Sequence, residues 1–236
     1  MGASKSLVQP SGLATMFAQR IRRTTLGLSD QMAIRDRSVW VLCSAALTAM
    51  VGCGGVKEYR VDPVAASKAA IEQYDKNGDG LLDQTELRAC PALLRELRAY
   101  DESKDKKLSA DEIGAQIQDM YGQGPGMIAL GCSVSLDGTA LSGATVRFIP
   151  EPFLGPEIKE ARGVTNATGT ASLGIAPEEL PKELRRHSLM RVGIYRVEIT
   201  HPTKKIPAKY NTETELGFEF HQTNHVQSPA FNLVSK

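Results

Sequence analysis

The chain has 236 residues, 28 Lys+Arg against 27 Asp+Glu and a formal net charge of +1, a balance that excludes a basic nucleic-acid binder and a strongly acidic tail protein. Hydrophobic residues make up 42% and charged residues 23%, as in ordinary folded chains, and no apolar run reaches the roughly 18 residues of a membrane-spanning helix. Polytopic membrane proteins, collagens and disulfide-dense miniproteins are thereby excluded, and the length allows one or two domains. The charge is unevenly placed: residues 1–52 are net +4, 53–121 net −4 and 122–236 net +1. These three regions differ in character.

Residues 1–52 read as a targeting segment. Arg35 and Arg37 precede a 13-residue apolar stretch over 39–51, which ends in Gly52-Cys53. A basic start, a short apolar run and a small residue before the cut are the parts of a secretory signal. Met32 stands just ahead of Arg35 and is a candidate true start. The run Met50-Val51-Gly52-Cys53 resembles the lipobox of bacterial lipoproteins at Gly52 and Cys53, and departs from it at Met50, where Leu is usual. The resemblance implies cleavage before Cys53, diacylation of its thiol and anchoring on the extracytoplasmic face of a cell or outer membrane, each buried CH₂ adding about 0.8 kcal/mol. An ordinary signal peptide with a coincidental Cys, or a retained anchor, is the alternative. Cys43 would leave with the signal; Cys90 and Cys132 remain, to pair in an oxidising compartment or to stay as buried thiols.

The middle region, 62–121, carries the sharpest pattern. DKNGDGLLDQTE, from Asp75 to Glu86, matches the calcium-loop pattern D-x-[DN]-x-[DN]-G-x₅-E at every required position. Asp75, Asn77 and Asp79 supply side-chain oxygens at positions 1, 3 and 5, Leu81 its backbone carbonyl at 7, Asp83 an oxygen at 9 and Glu86 a bidentate carboxylate at 12. Gly80 at position 6 permits the sharp turn. A hard cation needs several oxygens at about 2.3–2.6 Å, and this spacing wraps them around one point. The bland reading is an Asx-rich turn that binds nothing. Asp62-Pro63 predicts a capped helix start, with Ala70, Ile71 and Tyr74 on one face; Leu87 and Cys90 continue an outgoing helix, and Pro91 restarts the chain.

A second copy, DESKDKKLSADE, begins 26 residues later. Asp101, Ser103, Asp105, Lys107 and Glu112 stand at positions 1, 3, 5, 7 and 12. Position 6 is Lys106, whose positive φ costs on the order of 1 kcal/mol, and Lys104, Lys106 and Lys107 dilute the negative potential. This site is weak or purely structural. Leu82 and Leu108, both at position 8, suit a short β-pairing between the loops. Leu93, Leu97 and Tyr100 lead into this loop, and Ile113, Ile117 and Met120 lead out. The region resembles a paired EF-hand domain, which implies Ca²⁺ as the bound ion. Leading helices and Glu at position 12 set it apart from dockerin modules.

Residues 122–127 read as a Gly-rich linker and 128–236 as a small β-domain. Strands are predicted over 128–136, ending at the Asp137-Gly138 turn, and over 144–149, 170–173, 193–199, 215–221 and 230–234, with a helical turn near 178–186. In 193–199, Ile194, Arg196 and Glu198 oppose Tyr195, Val197 and Ile199. The strings SLDGTALSGATVRFIPE, TNATGTASL, GIYRVEI and IPAKYN resemble the carboxypeptidase-regulatory-like, or transthyretin-like, antiparallel β-sandwich of bacterial surface lipoproteins, which implies a scaffold or interaction module. His221 and His225 are four apart, but on strand or loop four residues span about 13 Å, so exposed polar loop positions are expected there. No nucleophile elbow, P-loop or Rossmann glycine pattern is present.

The expected fold is α+β in two domains, a helical EF-hand pair followed by a transthyretin-like sandwich. The expected function is a non-enzymatic, exported, calcium-binding lipoprotein, with calcium mainly structural. The alternative is an adhesion or carbohydrate/protein-binding module, with a surface protein or glycan as partner and the loops as a spacer. Nucleic acid is not an expected partner.

Overall fold

Asp62 caps the first helix: its side chain accepts the Val64 and Ala65 N–H groups at 3.0 and 3.2 Å, and Pro63 follows with its fixed φ. In the computed structural model, which describes residues 61–122, 126–221 and 228–236, this helix is α1 (Pro63–Tyr74). β1 (Leu81–Leu82), a 3₁₀ turn at Glu86–Ala89, α2 (Pro91–Tyr100), β2 (Leu108–Ser109) and α3 (Ala110–Gly122) complete the helical half. The outgoing helix expected through Leu87 and Cys90 is thus one 3₁₀ turn, because Pro91 supplies no N–H and restarts the chain as the first residue of α2. α1, with Ala66, Ser67, Ala70 and Tyr74 buried, packs against α3, whose Ile113, Ile117 and Met120 are buried in turn. Gly114 lets the two helices approach, since a Cβ there would lie 3.3 Å from Ser67 Oγ.

The strands that follow are β3 (Met127–Ile128), β4 (Leu130–Leu136), β5 (Thr139–Ala140), β6 (Thr145–Pro150), β7 (Ala161–Val164), β8 (Thr170–Ile175), β9 (Met190–Arg191), β10 (Gly193–Thr200), β11 (Gly217–Phe220) and β12 (Ala230–Leu233). The principal sheet runs β11-β10-β6-β7-β8-β4-β12, with β5 folded back onto β4 through a turn in which Asp137 and Gly138 both have positive φ. The sequence pattern missed β7. The strands form one path that curls on itself, sandwich-like in part. It departs from the expected antiparallel sheet where β12 joins β4 in parallel, Phe231 opposite Val134. The curl brings remote strands together: Phe148 of β6 meets Phe231 of β12 with ring centroids 6.1 Å apart, edge to face, and Phe218 of β11 at 5.7 Å. The architecture is mixed α+β.

All the described residues fall in one compact unit, Gly55–Lys236, and one buried cluster runs from Val61 to Leu233. The expected linker over 122–127 is shorter than read: Gly122 ends α3, and Met127 opens β3, which pairs with β9. Residues 123–125 lie outside the described residues. The helical turn read near 178–186 is two 3₁₀ turns, Pro177–Glu179 and Lys182–Leu184.

The helices also cover one face of β10 and β11. Ile194, on the face opposite Tyr195, Val197 and Ile199, is fully buried there, because α2 lies over that end of the strand. At Gly217 a Cβ would come within 2.0 Å of the Ala92 backbone nitrogen, so α2 starts directly on the strand. His221 is buried too, with Nε2 3.3 Å from Asp119 Oδ2 of α3, against the expectation of an exposed loop position; His225 lies outside the described residues.

Candidate metal centre

α1 delivers Asp75 at its C-terminal end, where the Asp75 N–H still bonds the Ile71 carbonyl. The loop then turns through Gly78 (φ +76°) and Gly80 (φ +79°), a backbone that costs glycine nothing. The Asp75 carboxylate accepts the N–H groups of Gly78 at 2.7 Å and Gly80 at 2.9 Å. Asn77 Oδ1 accepts from Asp79 N–H, and Asp79 Oδ1 from Leu81 N–H. Glu86 folds back across the loop: Oε1 accepts from Lys76 at 2.8 Å and Asn77 at 3.2 Å, and Oε2 from Asp83 at 2.9 Å. Asp83 Oδ1 accepts from Glu86 N–H in return, so Asp83 and Glu86 form a capping box.

The second loop repeats this scaffold with different residues. Lys104 (φ +63°) and Lys106 (φ +67°) occupy the two positions held by Gly78 and Gly80. Asp101 accepts from Asp105 and Lys106 N–H, Asp105 from Lys107 N–H, and Glu112 Oε1 from Ser103 N–H. Glu112 and Ser109 form a second capping box. Partial burial pushes the Glu112 carboxyl up, yet hydrogen bonds from Ser109 and Ser103 hold it below the ordinary carboxylate value.

The loops pair as the two leucines suggest. Leu82 lies opposite Leu108 and Leu81 opposite Ser109, and both position-8 leucines are buried. One ion pair crosses between the loops: Lys107 Nζ lies 2.7 Å from Asp79 Oδ2. The Lys107 ammonium, with the Leu81 N–H, holds the Asp79 carboxyl below its usual range.

Asp75, Asn77, Asp79, Asp83 and Glu86 are therefore brought to one loop, with the Leu81 carbonyl between them in sequence. Their oxygens are turned to loop amides, and among the described residues no three His, Cys, Asp or Glu side chains converge as a ready metal cage. The donor set is all oxygen, the chemistry a hard cation takes, and an ammonium already stands on one of its carboxylates. Asp101, Ser103, Asp105, Lys107 and Glu112 likewise share the second loop. Cys53 and the rest of the targeting segment lie outside the described residues.

Two further pairs were not legible in the sequence. Tyr74 and Tyr100 each stand one residue before a loop, and each donates its hydroxyl to a glutamate of the sheet half, Tyr74 to Glu151 at 2.5 Å and Tyr100 to Glu219. Burial raises the Glu151 carboxyl above its ordinary value, and burial raises Glu219 to about 7. The tyrosine at the same place before each loop was a visible repeat; the partner carboxyls, far along the chain, carried no signal. Cys90 and Cys132 are both buried free thiols, and burial pushes both up, Cys132 to about 11, which leaves neither as a ready nucleophile.

Between α2 and the two edge strands β11 and β12 runs a groove of about 420 Å³, lined in part by Leu94, Arg95, Leu216, Pro229 and Phe231. Among the described residues no helix is long and apolar enough to cross a membrane. No protein-family model, curated protein or solved structure matches the chain.

Proposed function

We propose that the chain is an exported, non-enzymatic calcium-binding protein, held at a membrane through a lipid on Cys53, with its helical half an EF-hand pair and its curled sheet a transthyretin-like scaffold. One observation carries the reading: the first loop combines an all-oxygen donor set with glycines at its two positive-φ positions and a position-12 glutamate folded back over it. Asp75, Asn77, Asp79, Asp83 and Glu86, with the Leu81 carbonyl, would hold Ca²⁺, whose charge would offset their mutual repulsion and fix the loop. Extracytoplasmic sites suffice with dissociation constants of about 10⁻⁴–10⁻³ M, which favours a structural role. The chain's own contribution is the preformed turn, the capping box that orients Glu86 and the Leu82–Leu108 bridge that joins the second loop to the first.

The test is calorimetric titration of calcium into residues 56–236 beside Glu86→Gln. Heat of binding that the substitution weakens supports the reading. No heat at millimolar calcium sinks it and leaves the helical pair as a spacer. Mass spectrometry of the membrane fraction tests the anchor: a diacylated amino-terminal Cys53 is expected, and an unmodified Cys53 overturns it.

A second reading makes the sheet a binding module for a surface protein or glycan, and the groove under α2 favours it. Because α2 is seated on β10 and β11, this is tested by partner capture with residues 56–236, the sheet alone being stripped of its cover.

A further inference from the structure

We propose that Lys107 is a built-in competitor for the cation of the first loop, so that the second loop sets the affinity of the first through one side chain. The inference rests on the reading that the first loop binds a divalent cation. The β1–β2 bridge fixes how the loops face each other, with Leu81 opposite Ser109 and Leu82 opposite Leu108. That register carries Lys107, next in chain to Leu108, across to the first loop. Its ammonium lies 2.7 Å from Asp79 Oδ2 and is in the field of Asp83 and Asp105 as well. Asp79 and Asp83 are positions 5 and 9 of the first loop. A cation bound there would share Asp79 with a positive charge only a few ångströms away.

The contact is specific in its placement. Lys104 and Lys106 belong to the same run, yet the ion pair to Asp79 is made by Lys107. Its backbone stays in the second loop, where its N–H is held by Asp105 at 2.8 Å, while its side chain serves the first. Position 7 contributes only a carbonyl to its own loop in this type of site, so its side chain is free to act across the bridge.

The experiment is calcium titration by calorimetry of residues 56–236 as the parent, Lys107→Met and Lys107→Arg, at low and at moderate salt, with thermal melting of each in chelator. Met keeps the aliphatic stem and removes the charge; Arg keeps the charge. Two unlike-sized positive charges a few ångströms apart in high dielectric repel enough to change binding by about tenfold. Lys107→Met is therefore expected to bind about tenfold more tightly, with Lys107→Arg close to the parent and the gain shrinking as salt rises. Because an exposed ion pair adds little to stability, the chelated melting temperatures should agree, which rules out a folding artefact. Equal or weaker binding by Lys107→Met, with the parent binding, overturns it and leaves the calcium reading intact. Silence from parent and both variants at millimolar calcium overturns both.

Discussion

The hydroxyl of Tyr74 donates to the carboxyl of Glu151, 77 residues later in the chain, and this bond ties the last residue of α1 to the end of β6. The carboxyl is almost wholly buried, with Cys90 and Arg196 beside it. Since Tyr74 immediately precedes Asp75, any shift of the first loop acts on this seam.

Replacing Tyr74 by Phe keeps the ring, including its edge contact with Phe153, and deletes only the donor. A buried acceptor then loses its partner, which costs about 1–3 kcal/mol. Urea unfolding of Tyr74→Phe should show that loss; a change below about 0.5 kcal/mol would mean that Glu151 does not depend on this bond.

Glu219 gives the seam a pH dependence whose sign follows from its raised value. Between the ordinary 4.5 and about 7 the folded chain holds a proton that the unfolded chain releases, so this group's contribution to stability falls as pH rises through that window. Asp79, Glu112 and Glu160 are shifted the other way, so the informative quantity is the difference between parent and Glu219→Gln. The variant should gain on the parent by up to about 1.4 kcal/mol per pH unit across the window and run parallel to it above. A constant difference from pH 4 to 8 would refute the assignment.

The two strained lysines of the second loop predict a gain. A left-handed residue other than glycine costs about 1–2 kcal/mol, offset by the greater freedom glycine loses, about 0.5–1 kcal/mol. Lys106→Gly should therefore stabilise the calcium-free chain by roughly 0.5–1 kcal/mol by chemical denaturation. A loss of stability would show that the φ of +67° at Lys106 is not what limits this loop.

Gly217→Ala tests the fusion of helix and sheet. The added methyl would fall 2.0–2.4 Å from backbone atoms of Pro91 and Ala92, which cannot rotate aside as a side chain can. Overpacking of this kind costs about 3 kcal/mol or more, and unfolding midpoints would report it. A neutral substitution would mean that α2 does not rest on β11.

Much of the candidate centre was legible because it is local. Twelve consecutive residues fix the loop, the 26-residue repeat fixes its partner, and Leu82 and Leu108 meet as their common position implied. Strand patterns were legible where large apolar residues alternate toward the core, as at Tyr195, Val197 and Ile199; β7, with only Ala161 turned inward, was not. They failed where a second layer intervenes. Ile194 and Glu219 both lie on the face that α2 covers, and the alternation within either strand does not report that cover. His221 was misread for the same reason, since α3 reaches it. The parallel placement of β12 had no local signature, for nothing within Ala230–Leu233 specifies direction.

The helix-on-sheet seam has a consequence for how the chain comes to be folded. Tyr100 and its partner Glu219 are 119 residues apart, and Ser135 and Asn232, on the parallel strands β4 and β12, are 97 apart. At about 5–20 residues per second of synthesis, the tyrosine waits roughly 6–24 s for its carboxyl to be made. Through that interval α2 has no β11 beneath it, and a protease added to ribosome-stalled chains should cut α2 before Gly217 has emerged and spare it afterwards; equal protection at both stages would mean that the helical pair stands alone. Among the described elements α2 is thus made early and secured late, a high-contact-order arrangement that slows folding and leaves its apolar face uncovered in the nascent chain meanwhile.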